Sequence, residues 1–234
     1  IKMKIQALKK MNLDYEFLNF ESIEENEIIE VIKKLNENPA INGILIQMPL
    51  PQNLDQKKVL NSIHPLKDVD CLTETNLGKL MHKDEILAPC TPKGILDILE
   101  SSNIALEGKE VVIINNSVLI GKPLSIMLTN RFATVTICHI KTKDIKEHTK
   151  RADIVITATG VPNLIRNEHI EEGVVLIDAG FSKVNDKSVG DVDFDNVKDK
   201  CSLITPTPGG VGPMTVAMLV NNLIVCTELQ IGII

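Results

Sequence analysis

The stretch between residues 111 and 204 constrains this chain most. Five short runs rich in β-branched residues recur there, at 111–114, 134–138, 154–157, 174–178 and 201–204. Helical patterns separate the first three, at about 123–130 and 143–150, and residues 167–172 are the best helical candidate before the fourth. Strands joined by crossovers of this size must run parallel, and a parallel sheet needs helices on both faces. The predicted fold class is therefore α/β, with a doubly wound, Rossmann-like nucleotide domain. The preceding residues predict a separate N-terminal α/β domain: a helix over 1–11, a strand over 15–20, and a helix opened by Ser22 and Glu25 at capping-box spacing and running to about 35. A buried parallel strand over 41–48 and a short helix over 56–63 complete it. We place the first domain at 1–91, joined by the final helix 213–234, and the second at 92–212.

Composition narrows the function classes. A formal net charge of −6 over 234 residues, with no dense basic run, argues against a nucleic-acid surface. The apolar stretches are broken by Gly, Asn or charge before bilayer-spanning length, so no membrane span is expected. Five scattered cysteines without a CxxC pair, and five histidines without ligand spacing, point to a reduced cytoplasmic setting and no metal site.

Four stretches carry chemistry. Residues 205–215 read TPTPGGVGPMT: Pro206, Pro208 and Pro213 fix φ and remove donors, while Gly209, Gly210 and Gly212 free it. A stiff turn with few side chains lets a flat ligand lie against backbone, with Gly212 as N-cap and Pro213 opening the last helix. Thr91 and Pro92 are expected to open an earlier helix in the same way. The loop after the first run of the sheet reads NNSVLIGKP from Asn115 to Pro123, where a dinucleotide domain needs a tight turn and a helix N-terminus with free N–H groups. GxGxxG is absent: Asn115 stands in for the first glycine and tolerates left-handed geometry, so an ordinary strand–helix loop is an equal reading. After the second run, Cys138-His139-Ile140-Lys141 offers no carboxylate to a ribose hydroxyl, and His139 and Lys141 suit either a 2′-phosphate, favouring NADP over NAD, or plain solvation. Within KDVD, residues 67–70, the aspartates are either turn formers or include a carboxylate that grips a guanidine-like edge through paired N–H bonds. Lys4 is a surface lysine unless its surroundings make it a base.

Taken together these stretches resemble the bifunctional methylenetetrahydrofolate dehydrogenase/cyclohydrolase family. The matching motifs are NGILIQMPLP (42–51), KDVD (67–70), PCTPKG (89–94), Ser117 with GKP (121–123), and PGGVGPMT (208–215), in the family's order. The resemblance implies a folate-binding first domain, an active site in the cleft between the domains, and a homodimer formed through the nucleotide domain. It implies oxidation of 5,10-methylenetetrahydrofolate with NADP, NAD being the alternative, then hydrolysis to 10-formyltetrahydrofolate. It assigns catalysis to Lys4, Gln47 and Asp70, with Gln47 tuning the lysine and Asp70 holding the pterin. Ile46, Met48, Pro208, Gly209, Gly212 and Pro213 fall on the folate side. Thr91, Asn115, Asn116, Ser117, Gly121, His139, Ile140, Phe181 and Thr215 fall on the cofactor side. The motif tyrosine would precede Ile1, which implies that the first domain is entered part-way. Asn115 replaces a family glycine, Ile140 a Ser or Arg, Asn116 an Arg of some members and Asn42 a more frequent Asp; the first three bear on NADP affinity. The competing readings are a cyclohydrolase with weak or lost dehydrogenase activity and a non-catalytic nucleotide-binding scaffold.

Overall fold

The computed structural model describes residues 1–20 and 22–234. The chain divides into a first unit, residues 1–90 with 216–234, and a second, residues 91–215. In the first unit lie α1 (Lys2–Lys10), α2 (Glu25–Glu37), α3 (Gln56–Asn61) and α4 (Glu74–Leu80), with a 3-10 turn at Pro65–Lys67. Two apolar clusters hold it. Ile32, Ile44, Val59 and Ile63 form one; Val69, Cys71, Leu87 and Cys90 form the other with Leu219 and Cys226 of the last helix. That helix, Val211–Gln230, satisfies the length and composition of a bilayer span, which corrects the expectation that no apolar stretch reaches it. Asn221, Asn222 and Glu228 interrupt it, but the surrounding Val, Leu, Ile and Met residues keep it apolar enough on average.

The second unit begins in α5 (Cys90–Ser101) and contains β1 (Glu110–Ile114), α6 (Gly121–Thr129), β2 (Thr134–Cys138), α7 (Lys146–Thr149), β3 (Ile154–Thr157) and β4 (Val174–Asp178). It continues through β5 (Ser182–Val184), β6 (Lys187–Val189), α8 (Phe194–Val197) and β7 (Cys201–Ile204), and α9 is the helix Val211–Gln230. The five expected strands form one parallel sheet in the order β2-β1-β3-β4-β7. β3 and β4 are buried along their whole length, as central strands covered on both faces must be, whereas β2 and β7 at the edges are only partly buried. The order reverses between β1 and β3, so the carboxyl ends of these strands flank the switch point where such sheets bind ligands.

Several local expectations are corrected. Residues 15–20 form no strand: no bridge joins them to a described residue, and Tyr15, Phe17, Leu18 and Phe20 are exposed. A β-pattern without a partner cannot satisfy its backbone as a strand. The 41–48 run makes one parallel bridge, Ile44 to Asp68, instead of a ladder. Helix α2 is capped by Glu24, whose N–H donates to Glu27 Oε2 at 3.0 Å, so Ser22 is not the cap. Three helices start two residues before their proline, which puts Pro92, Pro123 and Pro213 at the third position. The first four N–H groups of a helix have no intrahelical acceptor, so a proline loses nothing anywhere in that turn. α4, α8 and the β5–β6 hairpin were not anticipated. The hairpin turns on Asn185 and Asp186, both at positive φ as a two-residue turn requires.

Candidate functional site

In the first unit, Lys4 and Asp70 meet: Lys4 Nζ lies 3.7 Å from Asp70 Oδ2, with 23% and 19% of the side chains exposed. The loop that delivers Asp70 is held by its other charges. Lys67 is buried and donates to the carbonyls of Leu35, Asn36 and Asn38 at 3.1, 2.7 and 2.7 Å, closing the end of α2. Asp68 accepts from the N–H groups of Leu72 and Thr73 and from Asn76 Nδ2 at 3.1, 2.8 and 3.1 Å. The two aspartates of the DxD pattern thus differ: Asp68 builds the turn, and Asp70 faces Lys4. Burial pushes the Asp70 carboxyl above its ordinary range, an effect that Lys4 and the Cys90 thiol partly offset. Burial, with Asp70 adding to it, drives the Cys90 thiol far up, so it stays protonated as a donor. Asn222 of α9 donates to the carbonyls of Val69 and Ala88 at 2.9 and 2.8 Å, which pins the backbone before Asp70. Sequence reasoning missed Cys90 and Asn222 as parts of this site. The only available signal was an amide in the middle of an apolar helix, which needs partners when buried.

Gln47 is not brought to the pair. It is exposed, and its Nε2 donates to the carbonyl of Met48 at 2.9 Å. The tuning of Lys4 that the resemblance implies for Gln47 thus has no hydrogen bond between the two side chains behind it here. Ile46 packs half-buried against the Ile32–Ile63 cluster, and Met48 precedes a cis peptide bond to Pro49.

In the second unit, Asn115 organises the turn between β1 and α6. Its Oδ1 accepts from Ser117 N (2.8 Å), Ser117 Oγ (2.8 Å) and Gly121 N (3.0 Å), while its Nδ2 donates to Ala158 O (2.6 Å) across the switch point. A Cβ on Gly121 would stand 1.8 Å from the Asn115 carbonyl oxygen, so only glycine fits. Two expectations are corrected here. Asn115 does not adopt positive φ; it acts through its carboxamide. The N–H groups of Ser117, Ile120, Gly121 and Lys122 are also not free, being taken by Asn115 and Ser117 oxygens. What α6 offers an anion is the positive end of a nine-residue dipole.

Asn116, His139, Ile140 and Phe181 are all exposed, Ile140 to 95% and Phe181 to 61%. His139 Nδ1 accepts from Lys141 N at 3.1 Å. The hydroxyls of Thr91 and Thr215 lie 3.1 Å apart at the starts of α5 and α9. Pro208, Gly209, Gly212 and Pro213 are exposed, and a Cβ on Gly209 or Gly212 would meet nothing within 4 Å. Gly209 has φ +107, which a side chain would resist. Among the described residues no group of three or more His, Cys, Asp or Glu could hold a metal ion. A groove of about 310 Å³ at the opposite, amino-terminal edge of the sheet is lined by Lys109, Asp153 and Glu172 among others, and contains none of these residues.

Residues 89–231 match the tetrahydrofolate dehydrogenase/cyclohydrolase NAD(P)-binding domain and residues 1–70 the catalytic domain of the same family. The chain is 49% identical over 224 residues to the bifunctional protein FolD of Nautilia profundicola, covering 95% of this chain and 79% of the relative. It is 50% identical to that of Thermodesulfovibrio yellowstonii, covering 93% and 78%. Among solved structures, the bifunctional methylenetetrahydrofolate dehydrogenase/cyclohydrolase of Campylobacter jejuni superposes with a TM-score of 0.95 at 41% identity, covering 98% of this chain and 82% of that one. The Trypanosoma brucei enzyme, solved with NADP cofactor and inhibitor, gives 0.92 at 32% identity, covering 98% and 83%.

Proposed function

The chain belongs to the tetrahydrofolate dehydrogenase/cyclohydrolase family, and from that premise we propose how its residues divide the work. It is an NADP-dependent methylenetetrahydrofolate dehydrogenase and a methenyltetrahydrofolate cyclohydrolase. NADP, when bound, accepts the hydride that leaves the methylene carbon of 5,10-methylenetetrahydrofolate. The second unit fits that dinucleotide: a switch point between β1 and β3, a helix N-terminus after β1, and His139 and Lys141, without a carboxylate, at the end of β2. Asn116, Ser117, Gly121, His139, Ile140 and Phe181 would line it, with Thr91 and Thr215 near the reacting ring.

Asp70 orients the substrate. Its carboxylate accepts paired N–H bonds from the guanidine-like edge of the pterin, and the bare backbone at Pro208, Gly209, Gly212 and Pro213 lies along the folate. Lys4 moves the proton. Water attacks the cationic methenyl carbon and gives one proton to the Lys4 amine; the bond from that carbon to N5 then breaks and N5 takes a proton. The balance is one water consumed, one proton released and one 10-formyl group formed. Because the methenyl product is already held when oxidation ends, its hydrolysis gains from proximity. Gln47, whose amide donates to the Met48 carbonyl in this structure, is assigned to tuning Lys4.

The Lys4–Asp70 contact carries this reading, since an apolar core has no use for two ionisable side chains brought together and largely buried. The test is a coupled assay of methylenetetrahydrofolate with NADP and with NAD in parallel, on wild type and Asp70→Ala. Wild type should reduce NADP faster than NAD, and the variant should lose folate binding; equal folate binding in both would sink the assignment. One observation favours a second reading, a cyclohydrolase with weak dehydrogenase activity: the donors at the start of α6 are already used internally. Hydrolysis without measurable NADP reduction would select it. A homodimer through the nucleotide unit and a cytoplasmic setting belong to the same proposal. Sedimentation at a single chain mass would remove the dimer.

A further inference from the structure

We propose that Asp191 is a positioning residue for NADP: with Asp178 it fixes the chain leaving β3 and the chain leaving β4, and so shapes the rim that holds the dinucleotide. This rests on the functional reading above, and every contact lies within the second unit. Asp191 is fully buried. Its Oδ2 accepts from Thr157 Oγ1 at 2.8 Å, Thr159 N at 2.5 Å and Thr159 Oγ1 at 2.9 Å. Asp178, the last residue of β4, works in the opposite direction. Its Oδ1 accepts from Gly180 N at 2.9 Å and Asp191 N at 3.1 Å, and its Oδ2 accepts from Val192 N at 3.1 Å. The two carboxylates therefore clamp three segments far apart in sequence: 157–159, 178–180 and 190–192.

Glycines make the clamp tight. A Cβ on Gly180 would stand 2.1 Å from Asp191 Cγ, and one on Gly190 would stand 1.9 Å from Asp178 Oδ2. The backbone at both places thus lies directly on a carboxyl group. The loop after β3 is held from the other side by Asn115, whose Nδ2 donates to Ala158 O at 2.6 Å. Asp191 and Asn115 fix neighbouring residues of that one loop.

Stability alone does not explain the arrangement. Asp191 Oδ1 is buried without a hydrogen-bond partner, so part of the cost of burying the carboxylate is uncompensated. An apolar residue would fill the space with less penalty. What a carboxylate supplies is one point of convergence for three donors, and the loop they fix leaves the carboxyl end of β3, which flanks the switch point. Asp191 acts through that loop and touches no reacting atom.

The test is NADP affinity by titration calorimetry for wild type, Asp191→Ala, Asp191→Asn and Thr159→Ala, with methenyltetrahydrofolate hydrolysis assayed on the same preparations without NADP. Asp191→Ala should weaken NADP by about tenfold to a hundredfold, the range typical of groups that orient a binding shell from behind. Asp191→Asn keeps an oxygen for the same donors and should stay within about threefold of wild type, while Thr159→Ala, at an exposed position, should lose about threefold. Hydrolysis should be unchanged in all three. Unchanged NADP affinity in Asp191→Ala overturns the proposal, as does a matching loss of hydrolysis; if that variant does not fold, unchanged affinity in Thr159→Ala overturns it. Wild type that fails to bind NADP overturns the functional reading, and this proposal with it.

Discussion

In the proposed mechanism, Asp70 and Lys4 are a pair that serves function against stability. Lys4→Met should abolish methenyltetrahydrofolate hydrolysis and leave NADP affinity within about twofold, since it removes the proton carrier and none of the nucleotide-binding chain; retained turnover would remove Lys4 from the mechanism. Asp70 permits a test that needs no substrate. Burial raises its carboxyl despite the neighbouring lysine, so the folded state holds that proton more tightly than the unfolded chain does. Such a group adds stability in the protonated form, and that stability is lost as pH rises through the raised value. Asp70→Asn should therefore melt above wild type at neutral pH, with the gap closing as pH falls into the ordinary aspartate range. A gap that is independent of pH would refute this.

Elements in this chain are closed by side chains more than by their own propensity. α2 ends where Lys67, from a loop about thirty residues on, caps its last carbonyls with one ammonium group. Lys67→Met would strip three acceptors of a charged donor within a buried turn, at a cost of about 3 kcal/mol. Urea unfolding followed by circular dichroism should show it, and a loss below about 0.5 kcal/mol would mean that water replaces the lysine. The turn between β1 and α6 follows the same rule: one carboxamide does what a glycine-rich turn does elsewhere, because an acceptor placed among converging N–H groups stabilises the turn without left-handed backbone. The prolines at the third position of α5, α6 and α9 show why motif reading places helix starts late. A proline marks the first turn, not its first residue.

For the molecule as a whole, NADP should stabilise the folded chain by mass action. At a hundredfold excess over its dissociation constant the gain is about 2.7 kcal/mol, a rise in melting temperature of roughly 5–10 °C at this size. Ile140→Arg should enlarge that rise at fixed NADP, because Ile140 is almost wholly exposed and the substitution disturbs no packing; an unchanged rise would show that the phosphate lies elsewhere. The sheet was legible in the sequence because buried parallel strands must be short, apolar and β-branched, and four of its five strands were bounded to the residue. The Lys4–Asp70 pair was legible only through resemblance, since spacing does not say that residues 66 positions apart will meet. Residues 15–20 misled because a β-pattern records what a strand would tolerate and not whether a neighbour exists. Sequence alone thus determined the parallel sheet, the positions of its crossovers and the types of residue at the loops, all set by local burial and backbone freedom. Tertiary structure decided which aspartate of KDVD builds the turn and which meets Lys4, what Asn115 and Asp191 hold, and where Gln47 points, because hydrogen bonds between distant segments depend on coordinates that no local pattern encodes.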